Sequence, residues 1–162
     1  MSKRIKLGII SGYFNPIHSG HLDYIEGAKE ICDFLYVIVN NDRQVKIKGS
    51  SPFMNENERL RIVRSLKPVD RAMIALDKDA TVVESIMWLH RKYPRGYQAG
   101  REIGSPDYFV DAMIFMNGGD RKPDNSPEEV VCKKIGVLTA YEVGGGKTQS
   151  SSKLIRGVSN NA

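Results

Sequence analysis

The chain has 162 residues, with 24 lysines and arginines against 19 aspartates and glutamates, a formal charge of +5. That length suits one domain, and 41% hydrophobic residues with 15 glycines fall in the ordinary globular range, which excludes wholesale disorder. No apolar run reaches the ~18 residues of a membrane helix, and Cys32 and Cys132 form no CxxC pair, so a reduced, cytoplasmic protein with no membrane partner is expected.

Met1 to Lys6 is basic, but Leu7 to Ile10 is too short for a signal-peptide core and closes a first strand, Ile5–Ile10. Leu22, Ile25, Ala28 and Ile31 then recur at helical spacing, and Phe34–Val39 is an unbroken apolar strand. Leu60, Val63 and Leu66 mark a second helix, Ala72–Leu76 a third strand, and Val82, Val83, Ile86 and Leu89 a third helix. His90 to Asp111 has two prolines, three glycines and no clean period, and reads as an inserted loop or flap. Ala112–Met116 is a fourth strand, Glu129 to Ile135 a short helix, Val137–Val143 a fifth strand, and 158–162 a polar tail. Strands that are apolar throughout, alternating with helices, predict one α/β domain over 1–157. Its expected core is a doubly wound, parallel, five-stranded sheet.

In such a sheet ligands bind beyond the carboxyl ends of the strands, and chemistry-bearing residues collect there. His18 and His21, two of the three histidines, flank a predicted helix start across Gly20. Unpaired N–H groups and the positive dipole end suit phosphate, imidazoles can donate to its oxygens, and Gly20 admits a bulky anion. A zinc site would require further ligands, and only His90 and two distant cysteines remain. Gly144-Gly-Gly-Lys-Thr148 resembles a Walker A loop but has Tyr141 where the first glycine is required. Ser150, Ser151 and Ser152 before Leu154 read instead as a second helix cap with spare donors.

Tyr13-Phe-Asn-Pro-Ile-His-Ser-Gly-His21 resembles the G-x-F-[DN]-x-x-H-x-G-H signature of the cytidylyltransferase-like nucleotidyltransferases. Ser150-Ser-Ser-Lys-Leu154 resembles their closing S-[ST]-[ST]-x-[IL] signature. Lys48-Gly49, Asn57-Glu-Arg-Leu60 and Gly118-Gly-Asp-Arg-Lys122 fall between them in the order seen in glycerol-3-phosphate cytidylyltransferases and heptose-1-phosphate adenylyltransferases. The resemblance covers most of the chain outside the insert.

The resemblance implies transfer of a nucleoside monophosphate from CTP or ATP, with CTP slightly favoured, to a small phosphomonoester, releasing pyrophosphate. Mg²⁺ bound mainly through the triphosphate, no protein-held metal and a homodimer are implied with it. His18, His21 and Lys48 take the catalytic roles. Gly12, Tyr13, Phe14, Asn15, Gly20, Arg59, Gly118, Asp120, Lys147, Ser150, Ser151 and Ser152 are expected to bind the nucleotide, and Lys46, Asp77 and Arg121 the acceptor. Asn15 stands where aspartate is common, so it is no charged metal ligand. Ile155 stands where some relatives have an arginine, with Arg156 one step later, and Lys147 replaces another arginine.

Three alternatives stand beside this reading. A regulatory module of the same fold would bind nucleotide without turnover. A nucleic-acid binder would use the +5 charge, but the basic residues are scattered and lack aromatic interleaving, so no nucleic-acid partner is expected. A class I aminoacyl-tRNA synthetase fragment shares the HxGH logic but would lack an anticodon-binding domain.

Overall fold

The computed structural model describes residues 3–98, 107–119 and 121–145. The elements run β1 (Lys3–Gly12), α1 (Ser19–Ile31), β2 (Phe34–Val39), α2 (Asp42–Ile47), α3 (Glu56–Arg64) and β3 (Arg71–Ile74). They continue α4 (Val83–Lys92), β4 (Tyr108–Gly118), α5 (Pro127–Ile135) and β5 (Leu138–Val143). Every strand pair among them is parallel, in the order β3-β2-β1-β4-β5. The chain winds outward from β1 to β3, then returns so that β4 pairs with β1 on its other side. That reversal opens a crevice beyond the carboxyl ends of β1 and β4, the place where open α/β sheets bind ligands.

Strand alternation divides the core in two. Leu7 and Ile9 of β1 join Phe34, Tyr36 and Ile38 of β2 on the face covered by Ile86 and Leu89 of α4 and Cys132 of α5. Ile10 joins Leu35, Val37 and Val39 on the opposite face, under Ile25 and Ala28 of α1 and Leu60 and Val63 of α3. All six residues of β2 are buried. A strand covered on both faces must be apolar at every position, which is why these segments read as continuous apolar runs.

Two segments add to the sequence expectation. The segment after β2, to which the sequence reading assigns no helix, forms the helix α2 over Asp42–Ile47. Six residues are too few to show a period, and polar side chains stabilise it. Asn41 Oδ1 accepts the Gln44 N–H at 2.9 Å, and Gln44 Oε1 accepts the Asn41 N–H at 3.0 Å. The buried Gln44 amide then donates to the carbonyls of Asp79 and Thr81, stitching α2 to the β3–α4 loop.

The insert is also shorter than 90–111. α4 continues through Lys92, Tyr93 is 1% exposed in the core, and β4 begins at Tyr108. The stretch after α4 folds back along β4: Gly96 donates to the Val110 carbonyl at 2.8 Å and Val110 to that of Tyr97 at 3.0 Å. The middle of the expected flap, 99–106, lies outside the described residues, as do Asp120, Lys147, the closing serines and the polar tail.

Candidate active site

The loop from β1 to α1 carries the first signature. The Gly12 carbonyl accepts the Asn40 N–H at 2.9 Å, so the ends of β1 and β2 are tied where the loop departs. Phe14 has a φ of 50°, the left-handed region that a bulky residue seldom enters. Its ring is 1% exposed and meets His21 edge-on at 4.9 Å. The Phe14 side chain thus packs beneath the loop, in the core. Asn15, also buried, donates to the Ser51 carbonyl at 2.9 Å and accepts the Phe53 N–H at 2.6 Å. Its amide clamps the 51–53 segment onto the signature loop, and Phe53 stands there 66% exposed.

His18 is the N-cap of α1. Its Nδ1 accepts the Gly20 N–H at 3.1 Å, while His21 Nδ1 accepts the His18 N–H at 3.2 Å. This is a capping box built from two imidazoles in place of the usual hydroxyl and carboxylate. The rings stack with centroids 3.8 Å apart and planes 23° off parallel. Since both Nδ1 atoms accept, each neutral ring carries its proton on Nε2. The helix start therefore presents two neighbouring N–H donors together with its own dipole end, a combination suited to phosphate oxygens.

Lys48 reaches the site from the next strand end. It is the C-cap of α2, and its ammonium lies over the Tyr13 ring, 4.4 Å from the centroid. Lys46 is exposed on the last turn of α2. Arg59 behaves differently from expectation. It is fully buried, with Nη1 donating to the carbonyls of Tyr13 at 2.7 Å and Asn40 at 2.6 Å. Nε donates to the Met54 carbonyl at 3.0 Å and Nη2 to Asp42 at 2.7 Å. Its donors are directed at the chain itself, so the expected phosphate contact is corrected: Arg59 ties the signature loop, β2, α2 and α3 into one frame.

The other side of the crevice is the β4–α5 connection. Tyr24 of α1 donates its hydroxyl to the Met116 carbonyl, and its ring lies 2.6 Å from where a Cβ on Gly118 would stand. Gly118 is bare because α1 crosses β4 there, and a side chain would collide with the Tyr24 ring. Burial pushes the Tyr24 phenol up, which keeps it a donor. Arg121 lies 3.8 Å from both Asp124 and Glu128, on the exposed lip of this loop.

Asp77 is corrected as well. It is 2% exposed and accepts from the N–H groups of Glu84 at 2.6 Å and Ser85 at 3.2 Å, and from the Ser85 hydroxyl at 2.5 Å. The N-cap of α4 is Val82, which makes no side-chain cap bond; Asp77 supplies the cap from the preceding loop.

The structure thus joins His18, His21 and Gly20 at the start of α1 and sets Lys48 over Tyr13 of the preceding loop, while the side chains of Phe14, Asn15, Arg59 and Asp77 are engaged by the chain itself. Among the described residues no cluster of three or more His, Cys, Asp or Glu is placed to hold a metal ion. β5 is followed by Gly144, with φ 81°, where a Cβ would stand 2.6 Å from the Asp23 carbonyl oxygen, so the glycine lets the chain pass close to the first turns of α1. Sequence reasoning missed Tyr24 and Gln44; the only available sign was a polar side chain beside an apolar run, which has many other meanings.

The comparisons with known proteins agree with this geometry. The cytidylyltransferase-like family matches residues 9–124. An FAD synthase of Thermoplasma acidophilum is 42% identical over 76 residues, which is 46% of this chain and 54% of that protein. An FAD synthase of Methanoculleus marisnigri is 46% identical over 66 residues, 41% of this chain and 44% of that protein. The chain spans about half the length of the curated relatives it matches. The fold is shared with a lipopolysaccharide core biosynthesis protein from Thermoplasma volcanium, at TM-score 0.63 and 22% identity over 88% of this chain and 99% of that one. With a family match covering more than half its length, centred on the loops that build the crevice, the chain belongs to the cytidylyltransferase-like family.

Proposed function

We propose that the protein transfers a nucleoside monophosphate from a triphosphate to a phosphomonoester, using the crevice between β1 and β4. The observation that carries this reading is the stacked His18–His21 pair at the start of α1, on the loop whose Tyr13 ring carries the Lys48 ammonium. In the reaction an oxygen of the acceptor phosphate attacks the α-phosphorus. The bond from that phosphorus to the bridging oxygen of the β-phosphate breaks, and pyrophosphate leaves with the electron pair. The Nε2–H groups of His18 and His21 donate to α-phosphate oxygens as negative charge builds there. Lys48, with Lys46 nearby, neutralises the two phosphates brought together, so that positioning supplies much of the rate. Ser150 and Ser151 are proposed to hold the β,γ-phosphates, with Asp120 at the ribose or base.

A Mg²⁺ ion fits this site as a companion of the triphosphate, since phosphate oxygens and water supply its ligands and no carboxylate cage is required. When bound it supplies neutralisation of phosphate charge.

The relatives named FAD synthase support ATP over CTP as donor and a flavin-bearing acceptor. FAD is AMP joined through a pyrophosphate to flavin mononucleotide, itself a phosphomonoester of a ribityl polyol. This keeps the acceptor class expected from the sequence and changes the base. The test is pyrophosphate release from ATP, CTP, UTP and GTP, each paired with flavin mononucleotide, glycerol 3-phosphate and a heptose 1-phosphate in Mg²⁺. Release with ATP and flavin mononucleotide is expected. Nucleotide binding with no release from any pair would overturn turnover in favour of a binding module.

A further inference from the structure

We infer that Tyr13 is a positioning residue for Lys48: its ring face holds the ammonium at the mouth of the crevice, ready for the phosphates assigned to it above. The signature requires glycine, phenylalanine and the histidines but leaves the position of Tyr13 open, so the motif itself does not demand an aromatic ring there. The ammonium stands 4.4 Å from the ring centroid, inside the ~6 Å range over which a cation is drawn to an aromatic face.

Ring and ammonium are set from one anchor. The buried Arg59 guanidinium fixes the Tyr13 carbonyl at 2.7 Å and, through Asp42 at 2.7 Å, the first residue of the helix whose C-cap is Lys48. The ring is half-buried, which shields one side of the contact from water and strengthens the attraction. Burial, helped by the negative charge of Glu128, pushes the Tyr13 phenol up. The hydroxyl therefore stays protonated at neutral pH, and the attraction acts through the ring face, not through a phenolate. Lysine has a long flexible stem, and ordering it before the substrate arrives lowers what binding must supply.

The inference rests on the proposed role of Lys48, so its test carries one readout that needs no turnover. The Lys48 ε-methylene resonances are predicted to be shifted upfield by the ring current in the wild type and in Tyr13→Phe, and to lose that shift in Tyr13→Leu. In turnover, Tyr13→Leu lowers kcat by about 10-fold with little change in the KM for nucleotide, and Tyr13→Phe recovers most of that loss. The double variant Tyr13→Leu with Lys48→Met is no slower than Lys48→Met alone. Tyr13→Met serves as a second ring-less variant if Tyr13→Leu folds poorly. Equal kcat for the Phe and Leu variants, additive losses in the double variant, or an unshifted wild-type resonance would overturn the inference. A shifted resonance in a protein that releases no pyrophosphate would sustain the contact and overturn the proposed function instead.

Discussion

His18 does two jobs that one substitution can separate. As N-cap it accepts the Gly20 N–H through Nδ1, and as a ring it offers Nε2–H to phosphate. Asparagine is among the best N-caps, so His18→Asn keeps the cap and removes the second donor. The melting temperature should stay within a few degrees while kcat falls by about 100-fold or more. Thermal melts beside pyrophosphate release decide it, and near-normal turnover would sink the mechanism. Arg59 poses the opposite case. Arg59→Met leaves three carbonyls and the Asp42 carboxylate without their donor, which should cost about 3–5 kcal/mol in urea unfolding. A loss below about 1 kcal/mol would show that other groups can take over the frame.

Among the elements, α4 begins without a side-chain bond from its own N-cap and relies on Asp77. Asp77→Ala should destabilise by about 1–2 kcal/mol, concentrated in α4. Hydrogen exchange should show faster exchange at Glu84 and Ser85, and the acceptor KM should be unchanged. A raised KM with no loss of protection would restore the acceptor role that its place after β3 had implied. α2 teaches a related lesson. Its capping box is legible as Asn41 followed by Gln44, yet what makes so short a helix hold is Gln44 reaching the carbonyls of Asp79 and Thr81, more than thirty residues away.

For the whole molecule, both cysteines sit in the packed core. Burial pushes the Cys32 thiol up to about 11, and burial with Glu128 and Glu129 pushes Cys132 up to about 12. At pH 8 a thiol of pKa 11 is about one part in a thousand thiolate, so neither should react with a disulfide reagent while the protein is folded. Both should react in denaturant; prompt labelling of the native protein would contradict the packing. The +5 charge also resolves into parts. Lys48 lies over Tyr13 of the signature loop, whereas Arg59 pairs with Asp42 and Arg121 lies near Asp124 and Glu128. At the opposite sheet edge Arg4 and Arg95 share Asp111 at 3.3 and 3.7 Å. Under the proposed function, cationic side chains close to the signature loop suit a compact polyanion.

The sequence alone determined the class of fold, because burial on both faces forces unbroken apolar strands and burial on one face forces helical spacing. It determined the start of α1 as well, since the cap and the first signature are local and depend on residues three apart. The tertiary structure decided which of the candidate side chains are engaged by the chain itself. Arg59, Asp77, Asn15 and Phe14 carry groups that chemistry could use, and their positions after strands were compatible with use. Their partners are spread along the chain from Tyr13 to Ser85, and only folding brings those carbonyls, N–H groups and rings within hydrogen-bonding or van der Waals range. A buried polar group must find such partners, and sequence order does not record where they will be.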